Sequence, residues 1–97
     1  MNNYPKITIV TPVLNLAEYI EDAIQSVLNQ NYPNLEYIII DGGSTDGTLD
    51  IIKKYESRLA FWISEPDHGL YEAIQKGFDR GTGEIMAWLN ADDMYHK

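Results

Sequence analysis

The sequence predicts an α/β fold in three layers, α/β/α, with helices covering both faces of a parallel sheet of about four strands. Three observations predict it. Strand-like and helix-like apolar patterns alternate from one end of the 97 residues to the other. The links between them are short, which favours right-handed crossovers and parallel neighbours. The run Tyr37-Ile38-Ile39-Ile40 does not alternate with polar residues, as expected of a strand covered on both faces.

The first strand is expected over Lys6–Thr11, where Ile7, Thr8, Ile9 and Val10 are β-branched, with Pro12 ending it. Asn15 is placed to cap the first helix, with Glu18 three residues on completing a capping-box pair. Ile20, Ala23, Ile24, Val27 and Leu28 recur at helical spacing and give that helix one apolar face. Asn31-Tyr32-Pro33-Asn34 breaks it. The second strand spans Leu35–Ile40, and the turn Asp41–Gly47 is rich in Gly, Ser and Asp. Asp46 is read as the cap of a second helix over Thr48–Ser57, with Leu49, Ile52 and Tyr55 on its inner side. A third strand follows at Leu59–Ser64, then a loop, Glu65–Gly69. The third helix, Leu70–Phe78, turns Leu70, Ala73, Ile74 and Phe78 inward, and Gly81-Thr82-Gly83 ends it. The fourth strand is Glu84–Leu89, followed by Asn90-Ala91-Asp92-Asp93. Tyr37, Phe61, Trp62 and Trp88 lie in strand patterns and are read as core.

Composition narrows the function. The net charge of −8 and the scattered basic residues argue against a nucleic-acid partner. The absence of cysteine excludes disulfides and thiolate metal sites. No apolar run approaches the roughly 20 residues of a membrane span. Residues Met1–Lys6 lack the apolar stretch of a signal peptide, so a cytoplasmic location is the expectation.

The positions of the polar residues carry more. Each strand pattern ends in groups able to recognise a ligand: Pro12 and Asn15, then Asp41, then Glu65 and Asp67, then Asn90, Asp92 and Asp93. In a parallel sheet these ends share one rim, where α/β folds bind ligands. Carboxylates gathered there call for a compensating cation, and oxygen ligands suit Mg²⁺ or Mn²⁺. Gly42–Gly47 is followed by Thr48 where a Walker loop needs Lys, and no G-x-G-x-x-G follows the first strand.

Four segments together resemble family-2 glycosyltransferases of the GT-A fold, whose sheet is Rossmann-like. They are Ile9–Asn15, Ile40–Thr48, Glu65–Gly69 continuing to Lys76-Gly77, and Glu84–Asp93. The resemblance implies that residues 1–97 are one domain, the N-terminal donor-nucleotide-binding part of such an enzyme. It implies that Pro12, Val13 and Asn15 line a nucleoside pocket, Asp41 accepts a hydrogen bond from the base, and Asp67 closes the pocket. Asp92 would hold the ribose side and, with Asp93, a Mn²⁺ or Mg²⁺ that bridges the diphosphate of a nucleotide-sugar donor, typically a UDP-sugar. Transfer would be of a hexosyl group, with inversion, in cell-wall or polysaccharide biosynthesis. The acceptor, whether saccharide, lipid-linked glycan or protein, and the catalytic base would belong to a half beyond residue 97. These residues alone would then bind donor without transferring sugar.

Two positions depart from the family pattern: Asn90 replaces the first Asp of D-x-D, and Gly42 replaces a second Asp common after the second strand. The competing reading from another class is a phospho-receiver-like regulatory module. It would want paired acids after the first strand, where Pro12 and Asn15 stand. His68 is read as either a loop residue or a ligand contact, with solvent a third option, and Lys76 as lying on a solvated helix face from which it could reach a phosphate. A bare fourth-strand edge is expected to promote self-association.

Overall fold

A computed structural model of the chain describes residues 4–91. Four strands, β1 (Ile7–Val13), β2 (Leu35–Asp41), β3 (Phe61–Ser64) and β4 (Ile85–Trp88), alternate with helices α1 (Ala17–Leu28), α2 (Thr48–Lys54) and α3 (Leu70–Arg80). The sheet is parallel throughout, in the order β3-β2-β1-β4. The chain therefore builds outward from β1 through β2 to β3 and then crosses back to the other side of β1. That reversal puts a topological switch point between the carboxyl ends of β1 and β4.

The two faces are covered unequally. One face packs Val13, Tyr37 and Ile39 against Ile20, Ala23, Ile24, Val27 and Leu28 of α1 and Ile52 of α2. The other packs Val10, Ile38 and Ile40 against Ala73, with Phe61, Ile63 and Phe78 around them. The run Ile38-Ile39-Ile40 feeds both layers, and each side chain is at most 1% exposed. Each such burial is worth about 1.5–3 kcal/mol. Within the first layer the Tyr37 hydroxyl meets Thr11 Oγ1 at 2.8 Å, and burial pushes the phenol up to about 12.

Several local expectations are corrected. Pro12 does not end β1, which runs on to Val13 and pairs Pro12 with Ile40. The reason lies in the ladder. Odd residues of β1 bond toward β2, as in Ile7 N–H to Asn34 O and Gly42 N–H to Val13 O. Even residues face β4, as in Leu89 N–H to Val10 O. Pro12 thus turns its missing donor toward a strand whose pairing ended at Val10, and no ladder bond is lost. Helix α2 is shorter than its pattern and passes into a 3-10 turn, Glu56–Arg58. Helix α3 runs past Phe78 to Arg80, and Leu70 is 40% exposed rather than inward. Trp88 is not core. It is 42% exposed, and Ile85 and Met86 beside it are likewise open. An apolar strand pattern records that a strand forms, not whether anything packs on it; β4 is an edge strand of this sheet.

Candidate functional site

Three loops meet at the switch point. A cavity of about 210 Å³ opens there, lined by Pro12, Val13, Leu14 and Leu16 after β1, by Asp67, Gly69, Leu70 and Ala73 around the start of α3, and by Asn90 after β4. Its walls are mainly apolar, with Asp67 the carboxylate and Asn90 the amide. Of the residues expected to bind nucleotide, Pro12, Val13 and Asp67 are brought together here. Leu14, Leu16 and Leu70 were not anticipated. Leu14 and Leu70 are marked by their exposure as large apolar side chains, 53% and 40%, whereas Leu16 is partly buried against the core of the first layer.

Asn15 has a different task from the helix cap its sequence suggests. It adopts a left-handed conformation, φ 52°, which Asn tolerates better than most residues. The N-cap position of α1 is Leu16, with no side-chain cap bond from it. Asn15 instead latches the loop after β1 to the loop after β2. Its N–H donates to Ser44 Oγ at 2.8 Å, and its Oδ1 accepts the Thr45 N–H at 2.8 Å. Asp46 completes the latch. Its Oδ1 accepts from the Thr48 hydroxyl at 2.6 Å and the Thr48 N–H at 3.1 Å, and its Oδ2 accepts the Ala17 N–H at 3.1 Å. One carboxylate thus serves the first turns of two helices, where partial positive charge gathers.

The Thr48 hydroxyl, and with it the Ala17 and Thr48 amides, hold Asp46 below the ordinary carboxylate value of 3.8 despite desolvation. A folded-state value depressed below the unfolded one stabilises the fold above the unfolded value and ceases to do so as pH falls through the folded one. Asp46→Asn is therefore expected to lower the melting temperature at pH 7. The gap to the native protein should close as pH drops below about 4 in a series of thermal melts. A gap independent of pH would contradict this.

Asp41 is fully buried. Its Oδ2 accepts the Gly43 N–H at 3.0 Å, the Ser44 N–H at 2.7 Å and the Ser64 hydroxyl at 2.8 Å; its Oδ1 accepts the Ser44 hydroxyl at 2.5 Å. A carboxylate so engaged has no open face toward a nucleobase. In this structure the Asp41 carboxylate, expected to meet the base, holds the loop after β2. Ser44 and Ser64 were not singled out by sequence. Ser44, three residues after an Asp in a Gly-rich turn, carried a readable signal, whereas Ser64, 23 residues away, did not.

Asp67 is only partly buried and accepts the Gly69 N–H at 3.1 Å through Oδ1. Behind it, Glu72 accepts the His68 N–H at 2.8 Å and meets the His68 ring at 3.0 Å, which raises the imidazole pKa above its usual range. The His68 side chain is 93% exposed. Lys76 is not simply solvated, since its Nζ pairs with Glu65 at 2.9 Å across the start of the same loop. Among the described residues no group of three or more His, Cys, Asp or Glu side chains is arranged to hold a metal ion. The expected ligands Asp92 and Asp93 lie outside the described residues, as does His96. No helix among the described residues is long and apolar enough to cross a membrane.

The family model described as Glycosyl transferase family 2 matches residues 8–97. A relative named for teichuronic acid biosynthesis, a glycosyltransferase of Bacillus subtilis, is 40% identical over 101 residues. That match covers 100% of this chain and 40% of the relative, so the chain spans well under half the relative's length. Among solved structures, the chain is similar to a mannosyltransferase from Pyrobaculum calidifontis in complex with GDP-Man and Mn²⁺. The TM-score is 0.84 at 30% identity, covering 94% of this chain and 28% of that one. It is also similar to TarS of S. aureus in complex with UDP-GlcNAc, with a TM-score of 0.80 at 25% identity, covering 90% of this chain and 26% of that one.

Proposed function

The chain belongs to glycosyl transferase family 2, and from that premise we propose that residues 1–97 form the donor-binding part of an enzyme that transfers a hexosyl group from a nucleotide-sugar, a UDP-sugar first of all. The observation that carries this reading is the apolar cavity at the β1/β4 switch point, with Asp67 and Asn90 at its edge. Pro12, Val13, Leu14 and Leu16 offer the nucleoside a flat apolar wall. Asp67 offers an acceptor for its hydroxyl or N–H donors. Asp41 and Asn15 act at one remove, by fixing the loops that shape the wall.

The diphosphate would lie toward Asp92 and Asp93, which follow directly on Asn90 and the buried Ala91. Two adjacent carboxylates beyond a cavity-lining amide are a hard oxygen donor set, suited to Mn²⁺ or Mg²⁺. When bound, such an ion would neutralise the departing nucleoside diphosphate. The acceptor and the base that activates it, for an inverting displacement, are assigned to the part of the longer relatives that this chain does not span. These 97 residues are accordingly expected to bind donor without transferring sugar. Family membership sets aside the phospho-receiver alternative.

Calorimetric titration tests the reading. UDP is expected to bind in the presence of Mn²⁺ and at least about tenfold more weakly with chelator, the worth of one to two charge-assisted contacts. Binding indifferent to metal, or absent in both conditions, contradicts it.

The edge of β4 supports a second, separate expectation. Among the described residues Ile85, Met86 and Trp88 are exposed and β4 is the outermost strand on its side of the sheet, a template for pairing. Self-association through that edge is expected to appear in light scattering as a mass that rises with concentration and falls on Trp88→Lys. A clean monomer throughout contradicts it.

A further inference from the structure

Gly42 stands at the end of β2, with its N–H on Val13 O at 2.9 Å. A Cβ added to it would lie 3.2 Å from Asp67 Oδ2 and 3.3 Å from Asp67 Oδ1. The nearest atoms to that missing side chain are thus both oxygens of the one carboxylate that lines the cavity. No comparable crowding exists at Gly47 or Gly69 in the same rim, where an added Cβ meets nothing within 4 Å. A side chain at residue 42 would press on the Asp67 carboxylate, which would have to give by a few tenths of an ångström.

We propose that positions 42 and 67 are alternative sources of a single nucleoside-reading carboxylate. In this chain Gly42 is the specificity-determining residue that gives the role to Asp67. The inference rests on the donor-site reading above and deepens it. A carboxylate at this point is acceptor-only, so its ligand must present a neutral O–H or N–H donor. A nucleoside has two such sources, the ribose hydroxyls and a base N–H. A second carboxylate at residue 42 would sit against the first, and like charges this close cannot both stay ionised without a cation between them. The pair therefore tolerates one acid, from either loop.

The test is a two-by-two cycle on the full chain: native, Gly42→Asp, Asp67→Ala and the double variant, each with a thermal melt and a titration with UDP plus Mn²⁺. Gly42→Asp is expected to lower the melting temperature, and Asp67→Ala in that background to restore it, because removing one acid removes the repulsion. UDP affinity is expected to fall about tenfold or more in each single variant, the worth of one hydrogen bond to a charged group, and to recover in the double. Asp67→Asn, which keeps the shape, should weaken UDP binding as Asp67→Ala does.

Two further nucleotides identify the donor. If the ribose supplies it, 2′,3′-dideoxy-UDP erases the difference between native protein and Asp67→Ala; if the base does, CDP, which lacks the N3–H, erases it. An equal penalty on all three nucleotides means that Asp67 only shapes its loop through the Gly69 N–H, and overturns the proposal. So does a double variant no more stable and no tighter than its parents. Failure of the native chain to bind any nucleotide would instead remove the donor-site reading itself, while the melts would still report on the 42/67 exclusion.

Discussion

Asp41→Ala is expected to lose about 3–5 kcal/mol of stability, measured as a shift of the urea midpoint at constant slope. The argument is one of unpaired donors. The substitution leaves the N–H groups of Gly43 and Ser44 and the hydroxyls of Ser44 and Ser64 without the acceptor that all of them share. Each buried polar group left without a partner costs about 1–3 kcal/mol, and the four are coupled enough that the total falls short of the sum. A domain of this size holds roughly 5–15 kcal/mol in all, so the variant should lie near the edge of folding. The damage would spread along the chain of contacts. Ser44 receives the Asn15 N–H, so a loosened Ser44 frees the loop that carries the cavity wall. Asp41→Asn keeps one acceptor oxygen but presents an NH₂ to groups that are themselves donors, and should fall between. A loss below 1 kcal/mol for the alanine variant would show that the carboxylate is not the organiser of this rim.

Gly77→Val should be about as damaging, for a steric reason. A Cβ at Gly77 would come within 2.6 Å of Val10 Cγ2, closer still to Cγ1, and 3.0 Å from Val10 Cβ. Val10 is fully buried in the central strand and has no flexible end to swing aside. Helix α3 therefore rests directly on β1 at this point, and any side chain must pry them apart. Overpacking costs about 1–3 kcal/mol for a small excess. Alanine regains up to about 1 kcal/mol of helix propensity, so Gly77→Ala should show a net loss of only about 1–2 kcal/mol. Valine adds two methyl groups in the same place and should lose about 4 kcal/mol or more. Because α3 carries Leu70 and Ala73 into the cavity, its displacement should also abolish nucleotide binding. The cause is checked by Val10→Ala combined with Gly77→Ala. The double variant should be more stable than the sum of the two penalties predicts, as expected of residues that collide. Simple additivity would place the strain elsewhere.

Much of this structure was legible in advance, and the rest shares a physical reason for being hidden. The period of the apolar residues marked each strand and helix, since burial on one or both faces leaves that imprint directly. Ile38–Ile40 is the clearest instance. What the pattern could not register was contact at long range. Helix α1 takes its cap bond not from Asn15 beside it but from Asp46, 29 residues beyond Ala17. Asp41 looked available to a ligand because the hydroxyl that closes over it, Ser64, belongs to another strand. Pro12 looked like a terminator because the sequence does not disclose that β4 stops short of it. Trp88 looked like core because aromatic strand residues usually find a neighbour, and this one lies at an edge. The candidate site follows the same division. Its polar members were visible as strand-end residues, whereas its apolar wall of Leu14, Leu16 and Leu70 became visible only once the loops were folded together.

The central claim is one of place: a nucleoside diphosphate and its metal bind at the carboxyl ends of β1 and β4. The most direct measurement is a set of amide NMR spectra of the chain with UDP, recorded as Mn²⁺ is added in small steps. Paramagnetic broadening is expected to strike first at residues 13–16, 42–44, 67–70 and 89–91, and to spare Asn34, Glu36 and Thr82 at the opposite end of the sheet. Broadening centred on that opposite end, or spread evenly over the acidic surface, would contradict the account.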